Sequence, residues 1–159
     1  MDAGTKVRSA LIPGAGRTRY NTPLKSLSDR HAAFFMLVAE TVTPETAALD
    51  AGGRARMLDI VDGALMDRDP AVRRQFGTLL GVIRLAPLLR WGRPFDRLDG
   101  DRRSAVLRWF ESCPIGLLRK GFWGLKVMVF MGYYGRQASW NEIGYAPVND
   151  ASGLLRRKQ

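Results

Sequence analysis

One cysteine and one histidine are all that this 159-residue chain holds of the side chains from which metal centres and nucleophilic sites are most often built. The lone Cys113 cannot form an intramolecular disulfide, so nothing marks an oxidising compartment. One His and one Cys fall short of a structural zinc site, and there is no Cys-x-x-Cys-His to attach a haem. Acids are scarce as well, with 15 Asp plus Glu against 25 Lys plus Arg, a formal net charge of +10. Runs of alternating apolar and polar residues closed by hairpin turns are missing, which excludes an all-β reading. So is the continuous apolar stretch of a secretory leader in "MDAGTKVRSALIPGAGRTRY", and the expected location is cytoplasmic.

A net charge of +10 raises nucleic acid or an anionic membrane as partners, but most of the excess lies at the two ends. Residues 1–25 hold +4 and residues 153–159 hold +3, leaving interspersed charges and only +3 for residues 26–152. Residues 1–25, rich in Gly, Thr, Arg and Pro and without apolar period, read as a flexible basic arm. Residues 26–147 read as one helical domain and 148–159 as a basic tail. A chain of this size can bury about 70% of its unfolded surface, enough for a core without staples.

The domain divides into five to seven helices, an all-α fold. Ser28 is placed to cap a helix over 29–41 with Phe34, Phe35, Leu37 and Val38 on its apolar face. Thr43 and Pro44 start a short helix that Gly52 and Gly53 are expected to end. A helix over about 54–67 groups Met57, Ile60, Val61, Ala64 and Leu65, with Arg56, Asp59 and Asp62 elsewhere. Asp69 and Pro70 open the next, carrying Val72, Phe76, Leu79, Leu80 and Ile83 as far as Pro87. After the connector "LRWGRPFDRLDGD", Asp99 or Asp101 starts a helix bearing Val106, Leu107, Trp109 and Phe110. Pro114 opens another to about 131, and "SWNE" at 139–142 fits a capping box.

Catalytic groups are hard to assemble from what remains. His31 shares a face with Phe34, Phe35 and Val38 and reads as a structural histidine at a helix start. Cys113 reads as a small buried filler, and Asp96, Asp99 and Asp101 as caps and turn formers. No catalytic, cofactor-binding or metal-ligating residue is assigned, and catalysis by this chain alone is not expected.

The segment "PIGLLRKGFWGLKVMVFM", 114–131, has apolar residues nearly all round. At about 100° per residue, Leu117, Gly121, Leu125 and Met128 form one face with Leu118 and Val129 beside it, the side expected to meet the core. Trp123, Val127 and Phe130 fall on the opposite side with Arg119, Lys120 and Lys126. A helix apolar on both sides needs cover on both, from its own domain, a membrane or another chain. Lys126 interrupts the stretch, which leaves it short of the ~20 apolar residues of a span. Glycines at 116, 121, 124 and 132 permit close backbone approach. Aromatic residues and arginine dominate the centres of protein interfaces. The partner-binding set is therefore Arg119, Trp123, Lys126, Val127, Phe130, Tyr133, Tyr134, Trp140 and Tyr145.

From Phe95 and Leu98 through Leu117, Phe122, Leu125 and Lys126 to "YYGRQASWNEIGY", the stretch 84–147 resembles the gluconate 2-dehydrogenase subunit 3 family. Members of that family are the small subunits of flavin-dependent alcohol and sugar dehydrogenases, and a similar segment precedes the flavin domain of long-chain fatty alcohol oxidases. The resemblance implies a non-catalytic small subunit that binds, stabilises or helps fold a large catalytic subunit of the glucose-methanol-choline type. FAD is then expected in the partner and no cofactor in this chain. Many relatives carry a twin-arginine export signal that this sequence lacks, which favours a cytoplasmic complex. A peripheral membrane protein, with Trp and Tyr at headgroup level and basic tails on anionic lipid, is the alternative. A helical nucleic-acid-binding module stands behind it, since no helix displays a row of Arg, Lys, Asn and Gln for base edges.

Overall fold

Local capping chemistry sets where most helices begin. The computed structural model describes residues 24–136, and among them lie six α-helices, two short 3-10 turns and no strand. Helix α1 (Asp29–Val42) starts at Ser28, whose hydroxyl accepts from the His31 amide. Helix α3 (Pro70–Leu85) starts at Asp69, with proline in the first turn where its missing N–H costs nothing. Asp99 accepts from the Arg102 amide and opens α5 (Gly100–Ser112). The fold is all-α, as the missing strand pattern requires.

Two starts differ from expectation. Thr43 and Pro44 begin only a 3-10 turn, Pro44–Ala48, and Gly52 and Gly53 do not end a helix. They sit in the first turn of α2 (Ala51–Met66), because Asp50 accepts from the Gly53 amide at 2.7 Å and nucleates the helix there. Arg54 then ties the 3-10 turn in place, bonding Glu40 at 2.7 Å, Leu49 O at 3.0 Å and Ala47 O at 3.1 Å. The connector after α3 also holds more structure than a plain loop. It contains α4 (Leu88–Trp91), ended by Gly92 at φ 61°, and a 3-10 turn, Phe95–Arg97. Arg84 meets Asp96 at 3.0 Å and Arg103 donates to Asp96 O at 2.9 Å, so this turn is fastened to both α3 and α5.

A single core joins all of this. Phe35, Phe95, Phe110 and Phe122 are fully buried, with Met57, Leu58, Leu80, Ile83 and Leu125 around them. Phe34 meets Phe95 edge-on at 5.6 Å, and Phe110 packs on Phe122 at 6.0 Å. Val72, expected inside, is exposed near the start of α3, and Trp109 is half-exposed on α5. Cys113 is buried at the end of α5.

Asp62 is the largest departure inside the core. Expected on a polar face, it is buried, lying between Leu58, Val61 and Leu65 on the inward side of α2. Its carboxylate accepts from the amides of Lys25 (2.8 Å), Ser26 (2.9 Å) and Leu27 (3.0 Å) and from the Ser26 hydroxyl. Burial pushes the carboxyl up, and these hydrogen bonds outweigh it and hold it below the ordinary carboxylate value. The segment before α1 is thereby stitched to α2, and Leu27 is seated in the core.

Helix α6 (Gly116–Tyr134) is the longest element and crosses the others. It packs against α2, α5, α3 and α1. Gly132 makes the closest of these contacts: a methyl added there would lie 2.9 Å from both Met57 Cγ and Val61 Cγ2 and 3.2 Å from Met57 O. Gly121 rests on Leu79 in the same way, at 3.3 Å from Leu79 Cδ2. Gly116 and Gly124 face open space, so two of the four expected close approaches occur.

Candidate docking face on helix α6

The inward face of α6 is rotated from the one the sequence suggests. Phe122, Leu125, Val129, Gly132 and Tyr133 are buried. Leu117, expected to face the core, is 78% exposed in the first turn, where no described residue reaches over it. With Phe122 and Val129 inward, a step of about 100° per residue sends positions 120, 123, 127, 130 and 134 outward in one ladder. Trp123, Val127, Phe130 and Tyr134 are all exposed along it, at 52%, 59%, 39% and 45%. Phe130 and Tyr134 pair at 6.3 Å with rings tilted by 34°, so neighbouring turns present one aromatic surface.

Two of the cations on this helix, Arg119 and Lys126, are anchored. Lys126 is ion-paired to Glu111 of α5, and its ammonium lies 5.0 Å from the centre of the Trp123 ring. One ammonium thus links Glu111 of α5 to the Trp123 ring of α6. Arg119 is exposed and donates to Cys113 O at 3.3 Å, across the chain turn that precedes α6. Both therefore sit at the edge of the outward face with their stems fixed.

Tyr133 does not belong to that face. It is 6% exposed and part of the core cluster, with the Arg136 guanidinium 4.6 Å from its ring centre and Tyr134 edge-on at 5.1 Å. Its neighbour is the outward one, because consecutive residues of a helix lie about 100° apart. Trp140 and Tyr145 lie outside the described residues. The structure thus brings Trp123, Val127, Phe130 and Tyr134 onto one face, sets Arg119 and Lys126 along its edge and turns Tyr133 inward.

No protein-family model, curated protein or solved structure matches this chain. The geometry of α6 and the chemistry of its neighbours are therefore what bear on function.

Chemically the face offers rigid ring area, one phenol and one indole N–H, and no nucleophile or base. Among the described residues no group of three His, Cys, Asp or Glu side chains comes together to hold a metal ion. Of the acids read as caps and turn formers, Asp96 is paired with Arg84 and Asp99 accepts from the Arg102 amide. None of the described helices is long and apolar enough to cross a membrane.

Proposed function

We infer that this chain is a non-catalytic subunit that docks through the outward face of α6 onto a larger protein, stabilising it or helping it fold. The observation that carries this is the exposed ladder Trp123–Val127–Phe130–Tyr134 on a helix seated against α2 at Gly132 and tied to α5 by the Lys126–Glu111 pair. Preformed aromatic surface of this kind loses little side-chain freedom on binding, which is what interface anchors require. For the identity of the larger protein, the support is the resemblance across 84–147 to small subunits of flavin-dependent dehydrogenases. The partner is then a glucose-methanol-choline-type alcohol or sugar dehydrogenase carrying FAD. Co-expression with such a flavoprotein should yield a yellow complex of fixed stoichiometry, and Trp123→Ala with Tyr134→Ala should release a colourless chain. Retention of the complex by that double variant would remove α6 from the interface.

A membrane-surface role is the second reading, and one observation favours it. Leu85, Leu88 and Leu89 stand 55%, 42% and 97% exposed where α3 meets α4, with Arg90 and Arg93 beside them. Apolar tips flanked by cations suit an anionic bilayer surface. Flotation with phosphatidylserine vesicles that is abolished by Leu89→Asp would favour it, and no flotation at low salt would dismiss it.

A further inference from the structure

A groove of about 740 Å³ lies between the start of α1 and the outer side of α3, well away in sequence from the α6 face. That volume is within the range of small-molecule sites. Lys25 and His31 line one wall, and Arg73, Arg74 and Thr78 the other. Leu27 and Leu65, both buried in the core, lie beneath. His31 packs over Gly77, where an added methyl would come within 3.4 Å of its Cε1, so the imidazole forms part of the lining rather than projecting into water.

The charges that line this groove are of one sign. Four cations among the described residues (Arg54, Arg84, Arg102 and Lys126) pair with carboxylates, and many exposed arginines, and those of the groove, do not. Lys25, Arg73 and Arg74 make no such pair, and Arg73 donates only to the weak acceptor Met66 Sδ at 3.4 Å. Among the described residues no carboxylate lines the groove. Asp62 is engaged by the amides of residues 25–27 and Asp69 by the Ala71 amide, while Asp29, in the first turn of α1, is not among the groove-lining residues. Arg73 and Arg74, about 100° apart on α3, both line the groove, and planar guanidinium forks match the oxygens of a phosphate.

We propose that the α1–α3 groove binds a phosphomonoester with an apolar body, its phosphate between Lys25, Arg73 and Arg74 and its body on the His31 and Pro70 rings. Phosphate supplies the compact double negative charge that three cations favour. The accessible rings of His31 and Pro70 add affinity for an organic group over inorganic phosphate alone. The same chemistry occurs in a free phosphorylated metabolite and in a phosphatidic acid headgroup.

Calorimetric titration of the full chain with phenyl phosphate and with inorganic phosphate tests the site, alongside flotation with phosphatidylcholine vesicles containing phosphatidic acid. Saturable binding of phenyl phosphate, tighter than that of inorganic phosphate, is expected for a free ligand. Flotation without soluble binding assigns the phosphate to a lipid and keeps the site, provided it is lost in the variants. Arg73→Ala with Arg74→Ala should weaken binding at least tenfold, with the helical circular dichroism unchanged. Thr78→Glu, an exposed single change that sets a carboxylate in the groove, should do the same and does not depend on the double variant folding. No saturable binding in either assay, equal binding by the variants, or equal displacement by chloride and phosphate at matched ionic strength would each overturn the proposal.

Discussion

Two glycines on one helix provide a paired measurement of how α6 is seated. Gly124 and Gly132 both lie in the interior of α6, but an alanine methyl at 124 meets nothing within 4 Å while one at 132 meets Met57 and Val61 at 2.9 Å. Replacing an interior helical glycine by alanine is worth about 1 kcal/mol in propensity. Gly124→Ala should therefore stabilise by about that amount. At 132 the same gain is opposed by about 1–3 kcal/mol of overpacking. The upper part of that range is expected, because one of the clashing atoms is the Met57 carbonyl oxygen at 3.2 Å, which cannot rotate away. Propensity cancels between the two variants, so their difference isolates the contact. At about 4 °C per kcal/mol for a domain of this size, the two melting temperatures should separate by about 4–12 °C, with Gly124→Ala the higher. Thermal unfolding followed at 222 nm measures this directly. If Gly132→Ala rises together with Gly124→Ala, α6 is not seated on α2 as described, and the outward ladder loses its basis.

Asp62→Asn keeps the shape but turns a carboxylate that accepts four hydrogen bonds into an amide with one acceptor oxygen, at an expected cost of about 2–3 kcal/mol at pH 7. Because the folded carboxyl is held below its ordinary 3.8, its contribution is fully present above that value and is lost as pH falls through the folded pKa. The gap between wild type and Asp62→Asn in urea melts should accordingly be constant near neutrality and narrow as pH falls below 3.8; a gap that does not narrow on acidification through that range would exclude the carboxylate as its source. Thr46 is fully buried and its hydroxyl has no partner, so Thr46→Val should stabilise by about 1–2 kcal/mol, and a loss of stability would reveal a hydrogen bond at that hydroxyl. Val127→Asp, on the exposed face, should change the isolated chain's stability by less than about 0.5 kcal/mol while abolishing partner binding, and a large loss of stability would mean that Val127 is covered within the chain.

Much of this fold is written in local chemistry, and where that chemistry is strong the reading from sequence holds. Ser28, Asp69 with Pro70, and Asp99 each place a side-chain oxygen before a helix, and each of those helices starts there. Gly52 and Gly53 misled because glycine is costly in a helix interior but tolerable in its first turn, where Asp50 already satisfies the Gly53 amide. The misplaced α6 face has another cause. Leu117 is as apolar as Leu125, and a wheel weights them equally, yet only Leu125 lies where neighbouring helices cross. Asp62 is marked in the sequence by its spacing: it follows Leu58 by four residues and precedes Leu65 by three, so an acid sits on the apolar stripe of α2. An acid in that position needs buried donors, and the amides of residues 25–27 are those donors. Tyr133 and Tyr134 are adjacent and chemically alike, and only the register of α6 against α2 decides which turns inward.

Hydroxyl-radical footprinting of the full chain, alone and mixed with a glucose-methanol-choline-type flavoprotein, tests the docking face most directly. Trp123, Phe130 and Tyr134 should react readily in the free chain and become protected in the mixture, while the half-exposed Trp109 on α5 keeps its reactivity. Unchanged reactivity along α6, or protection confined to Trp109 and the Leu88–Leu89 turn, would contradict the account.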